Sequence, residues 1–182
     1  MSDPVVIVSV ARTPMGGMLG ELSALSANEL GAVAIKAAVE RAGLKPEQVQ
    51  EVIMANVLQA GQGQAPARQA ALGAGLPQTT ACSTINKICG SGMKAAMIAH
   101  DALVAGSIDI AVAGGMESMT NAPHLLPKGR QGIRFGHATI YDHMAMDGLE
   151  DAYDKGRAMG VFGEDCADKY AFTREQQDAY SL

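Results

Sequence analysis

The sequence predicts an α/β fold, a β-α-β-α-β-α-β run in which a mostly parallel sheet lies between helices. Three observations carry that expectation. Strand-type and helix-type hydrophobic patterns alternate through residues 5–115 with short connections between them. The 182 residues are 48% apolar, enough for a sizeable buried core, which excludes wholesale disorder. Aromatic residues make up only 4% beside 21 glycines, a composition suited to close helix-on-sheet packing rather than to an aromatic-rich β sandwich.

The elements follow in order. Residues 5–10, VVIVSV, form a continuous apolar run of the doubly buried kind and predict a central strand. Residues 28–42 place Leu30, Val33, Ala34, Ala37 and Ala38 on one helical face, after a Ser26/Asn28 cap and before Gly43 and Pro46. Residues 51–58 predict the second strand, and 66–73 a short helix opened by Pro66 and closed by Gly73. Residues 79–86 are the third strand. Residues 92–105 predict a helix with Met93, Ala96, Met97, Ala99, Leu103 and Val104 mostly inward, and 108–113 a fourth strand ending at Gly114-Gly115. From 117 to 163 the pattern breaks into loop-like sequence with Pro123, Pro127 and scattered Met, the mark of a functional insertion. Thr173 with Gln176 fits a capping box, so a helix starts there. The sequence stops about two turns later without a stop signal, and the expectation is a longer natural polypeptide, or one piece of a nicked or split protein.

A formal net charge of −5 gives no electrostatic footprint for nucleic acid or an anionic membrane. The run 5–11 lacks a preceding basic region, so it is no secretory signal, and no apolar stretch approaches the roughly 18 residues that span a bilayer. The expectation is a cytoplasmic protein that binds neither nucleic acid nor membrane. Three cysteines without C-x2-C spacing argue against a disulfide framework or a structural metal.

The densest chemical signal is Asn86-Lys87-Ile88-Cys89-Gly90-Ser91-Gly92-Met93-Lys94, where a strand hands over to a helix. Unpaired amides at a helix start favour a thiolate, Gly90 and Gly92 leave room for a ligand to approach, and Lys87 and Lys94 add positive field. Cys89 is therefore placed to be a nucleophile; the other reading is a small cysteine packed at a helix end. Gly90 to Ala95 also fits the dinucleotide pattern G-x-G-x-x-A, but the acid that pattern wants at the end of the next strand is replaced by Gly114-Gly115, with Asp109 at the strand's beginning. Cys82 and Cys166 have no such turn and are expected to be structural. His100, His124, His137 and His143 show no metal-ligand spacing and are expected on the surface or in packing. Lys128, Arg130 and Arg134 could receive a polyphosphate, or form a solvated basic loop. Met116, Met119, Met144, Met146 and Met159 could line an acyl pocket or fill gaps in a core.

Residues 5–14 (VVIVSVARTP), 56–64 (NVLQAGQGQ), 66–69 (PARQ), 86–92 and 114–119 (GGMESM) together resemble the thiolase family, in collinear order along the whole chain. The likeness is to the first part of a short-chain member, one that joins two acetyl-CoA molecules. It implies a layered fold whose N-terminal half-core spans 1–119, followed over 120–182 by the start of a loop domain that covers coenzyme A. It implies that Cys89 takes an acyl group from a coenzyme A thioester, that its backbone N–H contributes to an oxyanion hole, and that Leu149 and Met159 line the pantetheine and acyl pocket. Acetyl-CoA or acyl-CoA is then substrate, with no separate cofactor and no metal. A degradative 3-ketoacyl-CoA thiolase is the neighbouring alternative within the family.

Two departures stand out. Many short-chain members have His where this chain has Ala158, before Met159-Gly160. The family's activating His and second, proton-shuttling Cys lie in a C-terminal half, and no motif of this chain matches them. The resemblance thus implies that the C-terminal half, possibly a separate chain, is a required partner. Alone, this half would expose an apolar helix layer and not turn over. A homodimer or homotetramer is expected.

Overall fold

The computed structural model describes residues 4–182, so the first three residues of the expected opening domain lie outside it. Its elements begin where the local chemistry starts them. Helix α1 (Ala27–Arg41) opens on Ser26, whose hydroxyl accepts from the Glu29 N–H while the Glu29 carboxylate accepts from the Ser26 N–H. That N–H, with the Ser26 hydroxyl, holds the Glu29 carboxyl below its ordinary pKa. Strand β1 (Glu51–Ala55), helix α2 (Pro66–Gly73), strand β2 (Ala81–Ile85), helix α3 (Ser91–Val104) and strand β3 (Ala111–Gly115) follow. The three strands are parallel in the order β2-β1-β3, with Ala55 opposite both Ile85 and Gly115.

Helices cover both faces of this sheet. Val52 and Met54 of β1 pack with Ile35 and Val39 of α1 and Ala67, Ala70 and Ala71 of α2. Ile53, pointing the other way, packs with Ala95 and Ala99 of α3. The α/β class and the parallel sheet thus stand as the sequence predicts.

The first strand does not. Residues 5–10 make no strand pairing, and Val6, Ile7, Val8 and Val10 are exposed; the doubly buried strand is β1. Apolarity marks a segment that gains by burial, but burial needs a covering layer. Here the run instead walls a cleft of about 770 Å³ with α1, α3 and β3. The inward helix faces also differ from the expectation. In α1 they are Ala27, Asn28, Gly31, Ile35 and Val39, with Val33 exposed; in α3 they are Ser91, Ala95 and Ala99, with Met93, Ala96, Met97 and Val104 exposed. Small residues face inward because the layers are close. A Cβ on Gly31 would come within 2.5 Å of the Met116 Sδ and 3.2 Å of the Ala70 Cβ. Gly31→Ala is therefore expected to cost about 1–3 kcal/mol in overpacking against about 1 gained in helix propensity, and to lower Tm by a few degrees in a thermal melt.

The chain divides into two compact units, one up to Pro123 and one over His124–Leu182. The second holds the two-stranded antiparallel pair β4 (His124–Leu125) and β5 (Tyr141–Asp142), a π-helical turn at Ala145–Leu149, and helices α4 (Met159–Tyr170) and α5 (Arg174–Ser181). Helix α5 has its capping box: Thr173 Oγ1 accepts from the Gln176 N–H and Gln176 Oε1 from the Thr173 N–H. Helix α4 falls partly within the stretch expected to be loop. It starts on Ala158 without a side-chain cap and contains Gly160 and Gly163, so no start signal betrays it. Among the described residues, no helix is long and apolar enough to cross a membrane.

Candidate active site

Because the three strands run parallel and end in register, the loops that leave them meet at one edge of the sheet. Asn56 follows β1, Asn86 follows β2, and Met116-Glu117 follow β3. The carboxyl ends of a parallel sheet are where such folds place their sites.

Cys89 lies in the turn from β2 into α3, exposed, one residue before the helix N-cap Gly90. The turn is tightly held. Ser91, 2% exposed, accepts from the Lys87 N–H at 2.6 Å and donates to the Ile88 carbonyl at 2.6 Å. Asn86 Oδ1 accepts from the Ile88 N–H at 2.9 Å, and the Gly90 and Ser91 amides donate back to the Lys87 and Ile88 carbonyls. Ile88 is forced to φ +49°, a left-handed conformation that a β-branched residue rarely adopts. A strained turn between strand and helix lifts the residue at its apex toward solvent, which is the geometry a nucleophile needs.

Behind this turn stands a polar cluster. Asn56, fully buried, donates to Glu117 Oε1 at 2.8 Å and to the Met116 carbonyl at 3.2 Å. The half-buried Glu117 carboxylate also accepts from the Val57 N–H at 2.9 Å and the Leu58 N–H at 3.0 Å. Gln62 bonds Asn56 Oδ1, and Asn28 and Gln69 both donate to the Gln62 carbonyl, so the loop after β1 is tied to α1 and α2. Gly63, at φ +81°, lets that loop turn beside the Gln69 amide. Asn86 Nδ2 reaches the Val57 carbonyl at 3.5 Å and links the cluster to the cysteine turn.

The other sequence candidates are distributed as follows. Cys82 is half-buried in β2, donates to the Thr80 carbonyl at 3.5 Å, and has its pKa raised by burial, as suits a structural thiol. Cys166 is exposed on α4. Lys128, Arg130 and Arg134 lie on an exposed stretch of the second unit. Met116 belongs to the core, packed beside Gly31. The cleft walled by residues 5–11 does not include Cys89. The dinucleotide pattern lacks its acid, since β3 ends at Gly115 and Glu117 beyond it is occupied by amide donors.

In the second unit, Leu149 closes the π-helical turn and Met159 opens α4. The antiparallel bridge between Glu150 and Ala158 sets them opposite one another at the next register position. Residues 151–157 form the loop between, held by the Asp151 N–H to the Arg157 carbonyl at 2.8 Å and the Gly156 N–H to Glu150 Oε1 at 2.6 Å. Arg157 pairs with Asp165 and lies 4.2 Å over the Phe162 ring.

Sequence reasoning gave no roles to Ser91, Asn56 and Glu117. The available signal was polarity beside strand ends: Asn56 directly follows β1 and Glu117 stands two residues beyond β3, where a neutral amide, or a carboxylate with no cation nearby in sequence, calls for hydrogen-bond partners.

Comparison with known proteins adds a family. The family model "Thiolase, N-terminal domain" matches residues 5–182. Acetyl-CoA acetyltransferase 1 of Arabidopsis thaliana is 56% identical over 178 residues, covering 98% of this chain and 43% of that protein. The acetyl-CoA acetyltransferase of Cupriavidus necator is 56% identical over 182 residues, 100% of this chain and 46% of that one. A cytosolic acetyl-CoA acetyltransferase of Gibberella zeae is 54% identical over 179 residues, 98% and 45%. The crystal structure of the Acat5 thiolase from Ascaris suum in complex with coenzyme A superposes with a TM-score of 0.89 at 42% identity, over 96% of this chain and 45% of that one. The chain thus spans less than half the length of these relatives.

Proposed function

The chain belongs to the thiolase family, matching its N-terminal domain, and on that premise we propose that it carries the acyl-accepting cysteine of an enzyme that condenses two acetyl-CoA to acetoacetyl-CoA and free coenzyme A, or runs the reverse thiolysis. The observation that carries the proposal is the turn at Cys89: an exposed thiol immediately before a helix N-cap, with Ser91 and Asn86 fixing the backbone around it.

In the first step the Cys89 thiolate attacks the thioester carbonyl, a new C–S bond forms, and coenzyme A leaves as its thiolate. One thioester replaces another, so the acyl group stays activated. Oxygen charge developing on the carbonyl needs N–H donors, and the Cys89 N–H takes that role. In the second step a proton leaves the methyl carbon of another acetyl-CoA, the carbanion attacks the acyl-cysteine, a C–C bond forms, and the Cys89 thiolate departs. The base for that proton belongs to the C-terminal half, which is therefore this chain's required partner. Leu149 and Met159 contact the pantetheine and acyl portions of the substrate, and 120–182 begin the domain that covers coenzyme A. The names of the relatives and the coenzyme A bound to the Ascaris suum thiolase support this reading. A relative named as cytosolic supports a cytoplasmic location. The proposed assembly is a homodimer or homotetramer.

The test is intact mass and peptide mapping of the protein, combined with its C-terminal half, before and after brief exposure to acetyl-CoA. An acetyl adduct on Cys89 that is lost on addition of coenzyme A is the expected result. An adduct confined to Cys82 or Cys166, or none at all, overturns the proposal.

A further inference from the structure

In the second unit one side chain stands apart. Among its described residues, His143 is the only one that is buried, at 5% exposure. An imidazole there, where a Leu or Met would serve packing better, is held for what it bonds to. Its Nδ1–H donates to Asp147 Oδ2 at 2.7 Å, four residues on, and the Asp147 side chain is half-exposed.

The backbone between and beyond these two residues is unusual. Residues Ala145–Leu149 form a π-helical turn, closed by the Glu150 N–H to the Ala145 carbonyl at 2.8 Å. Such turns are rare because the wider spiral packs poorly, and they persist where something holds them open. The His143–Asp147 bond is such a brace: it spans from the residue two before the turn to its third member. Asp142 adds a second tie at the entrance, accepting from the Met144 N–H at 2.8 Å. The turn's last residue is Leu149, and the Glu150–Ala158 bridge that follows sets Met159 opposite it. A single braced turn therefore fixes the direction of one residue and, through the bridge, the partner of that residue.

We infer that His143 and Asp147 are positioning residues that hold the π-helical turn so that Leu149 and Met159 present their side chains to the acyl-CoA substrate. This rests on the reading of Leu149 and Met159 given above. Their role runs through Leu149 and Met159, which makes them positioning residues and not catalytic ones. The brace acts on binding in ground state and transition state alike, so its loss raises KM and spares kcat.

The test uses the protein with its C-terminal half. Wild type is first checked for the acetyl adduct on Cys89; failure there overturns the proposed function and leaves no substrate to position. With that adduct present, His143→Leu and Asp147→Ala are expected to raise KM for the CoA thioester about tenfold with kcat within about twofold. His143→Asn keeps an N–H near the Nδ1 position and is expected to restore most of the lost KM. The double variant His143→Leu/Asp147→Ala is expected to be no worse than either single one. An unchanged KM in both single variants overturns the inference, as does a loss in which kcat and KM change only in step with a lowered Tm. Where His143→Leu fails to fold, Asp147→Asn decides, since it keeps the shape and removes the charge: a raised KM supports the brace and an unchanged KM overturns it.

Discussion

Glu117→Ala is expected to lower the unfolding free energy by at least about 3 kcal/mol and Tm by about 6–12 °C. The size follows from what the carboxylate holds. It accepts from Asn56 Nδ2, the Val57 N–H and the Leu58 N–H at 2.8, 2.9 and 3.0 Å. Asn56 is fully buried, so its amide keeps no water when the carboxylate is removed. Each stranded donor costs about 1–3 kcal/mol, more where the lost acceptor was charged. The same change frees the loop after β1, whose Gln62 bonds Asn56, and reaches the cysteine turn through Asn86 and the Val57 carbonyl. Thermal melts measure the stability, and acetyl transfer to Cys89 the reach. Glu117→Gln separates shape from charge: it keeps one acceptor oxygen but points an NH2 at a second amide donor, so it is expected to recover less than half of the loss. A Tm within a degree of wild type for Glu117→Ala would show that the loop ends are held by other bonds.

How much of this was legible in the sequence depends on the length scale of the cause. Elements fixed by local chemistry were readable. Pro66 and Gly73 bound α2 where the sequence places it, and Ser26 and Thr173 cap their helices. The cysteine turn was readable too, because strand, glycines and helix start lie within ten residues. Features set by tertiary covering were not. The run 5–10 is more apolar than β1, yet β1 is the buried strand, since among the described residues only β1 has both a neighbour on each side and helices on each face. The inward face of α1 runs through Gly31 instead of Val33 because Ala70 and Met116 come close there, and a hydrophobicity pattern rates glycine as no face at all. Ser91 and Glu117 lie in motifs the sequence displays, yet their roles were not legible for a related reason: most of their partners are backbone amides and carbonyls, which every residue carries and no side-chain pattern displays.

Ser91→Ala carries the largest expected effect on chemistry. The Ser91 hydroxyl is the common partner of the Lys87 N–H and the Ile88 carbonyl, both at 2.6 Å, and these two groups flank the strained residue directly before Cys89. Without the hydroxyl, the left-handed Ile88 is held only by the Asn86 side chain and the Gly90 and Ser91 amides, and the turn relaxes toward an ordinary conformation. A shift of about 1 Å in a nucleophile lowers its rate about 10²-fold, so acetyl transfer to Cys89 is expected to fall by that order, with a stability loss of about 1–3 kcal/mol from the stranded polar groups. Stability and rate fall together here, which leaves open whether the rate loss is only partial unfolding. Ile88→Gly separates them. Glycine adopts a positive φ without the roughly 1–2 kcal/mol that an L side chain costs there, and Ile88 is 44% exposed, so little burial is lost. Its Tm is expected to stay close to wild type, while the turn, no longer stiffened by a β-branched residue, holds Cys89 less firmly and acetyl transfer slows about tenfold. Pre-steady-state acetylation measured by mass, beside thermal melts, gives both quantities for both variants. If Ile88→Gly transfers acetyl as fast as wild type, the strain at Ile88 does not position the thiol, and Ser91 acts on stability alone.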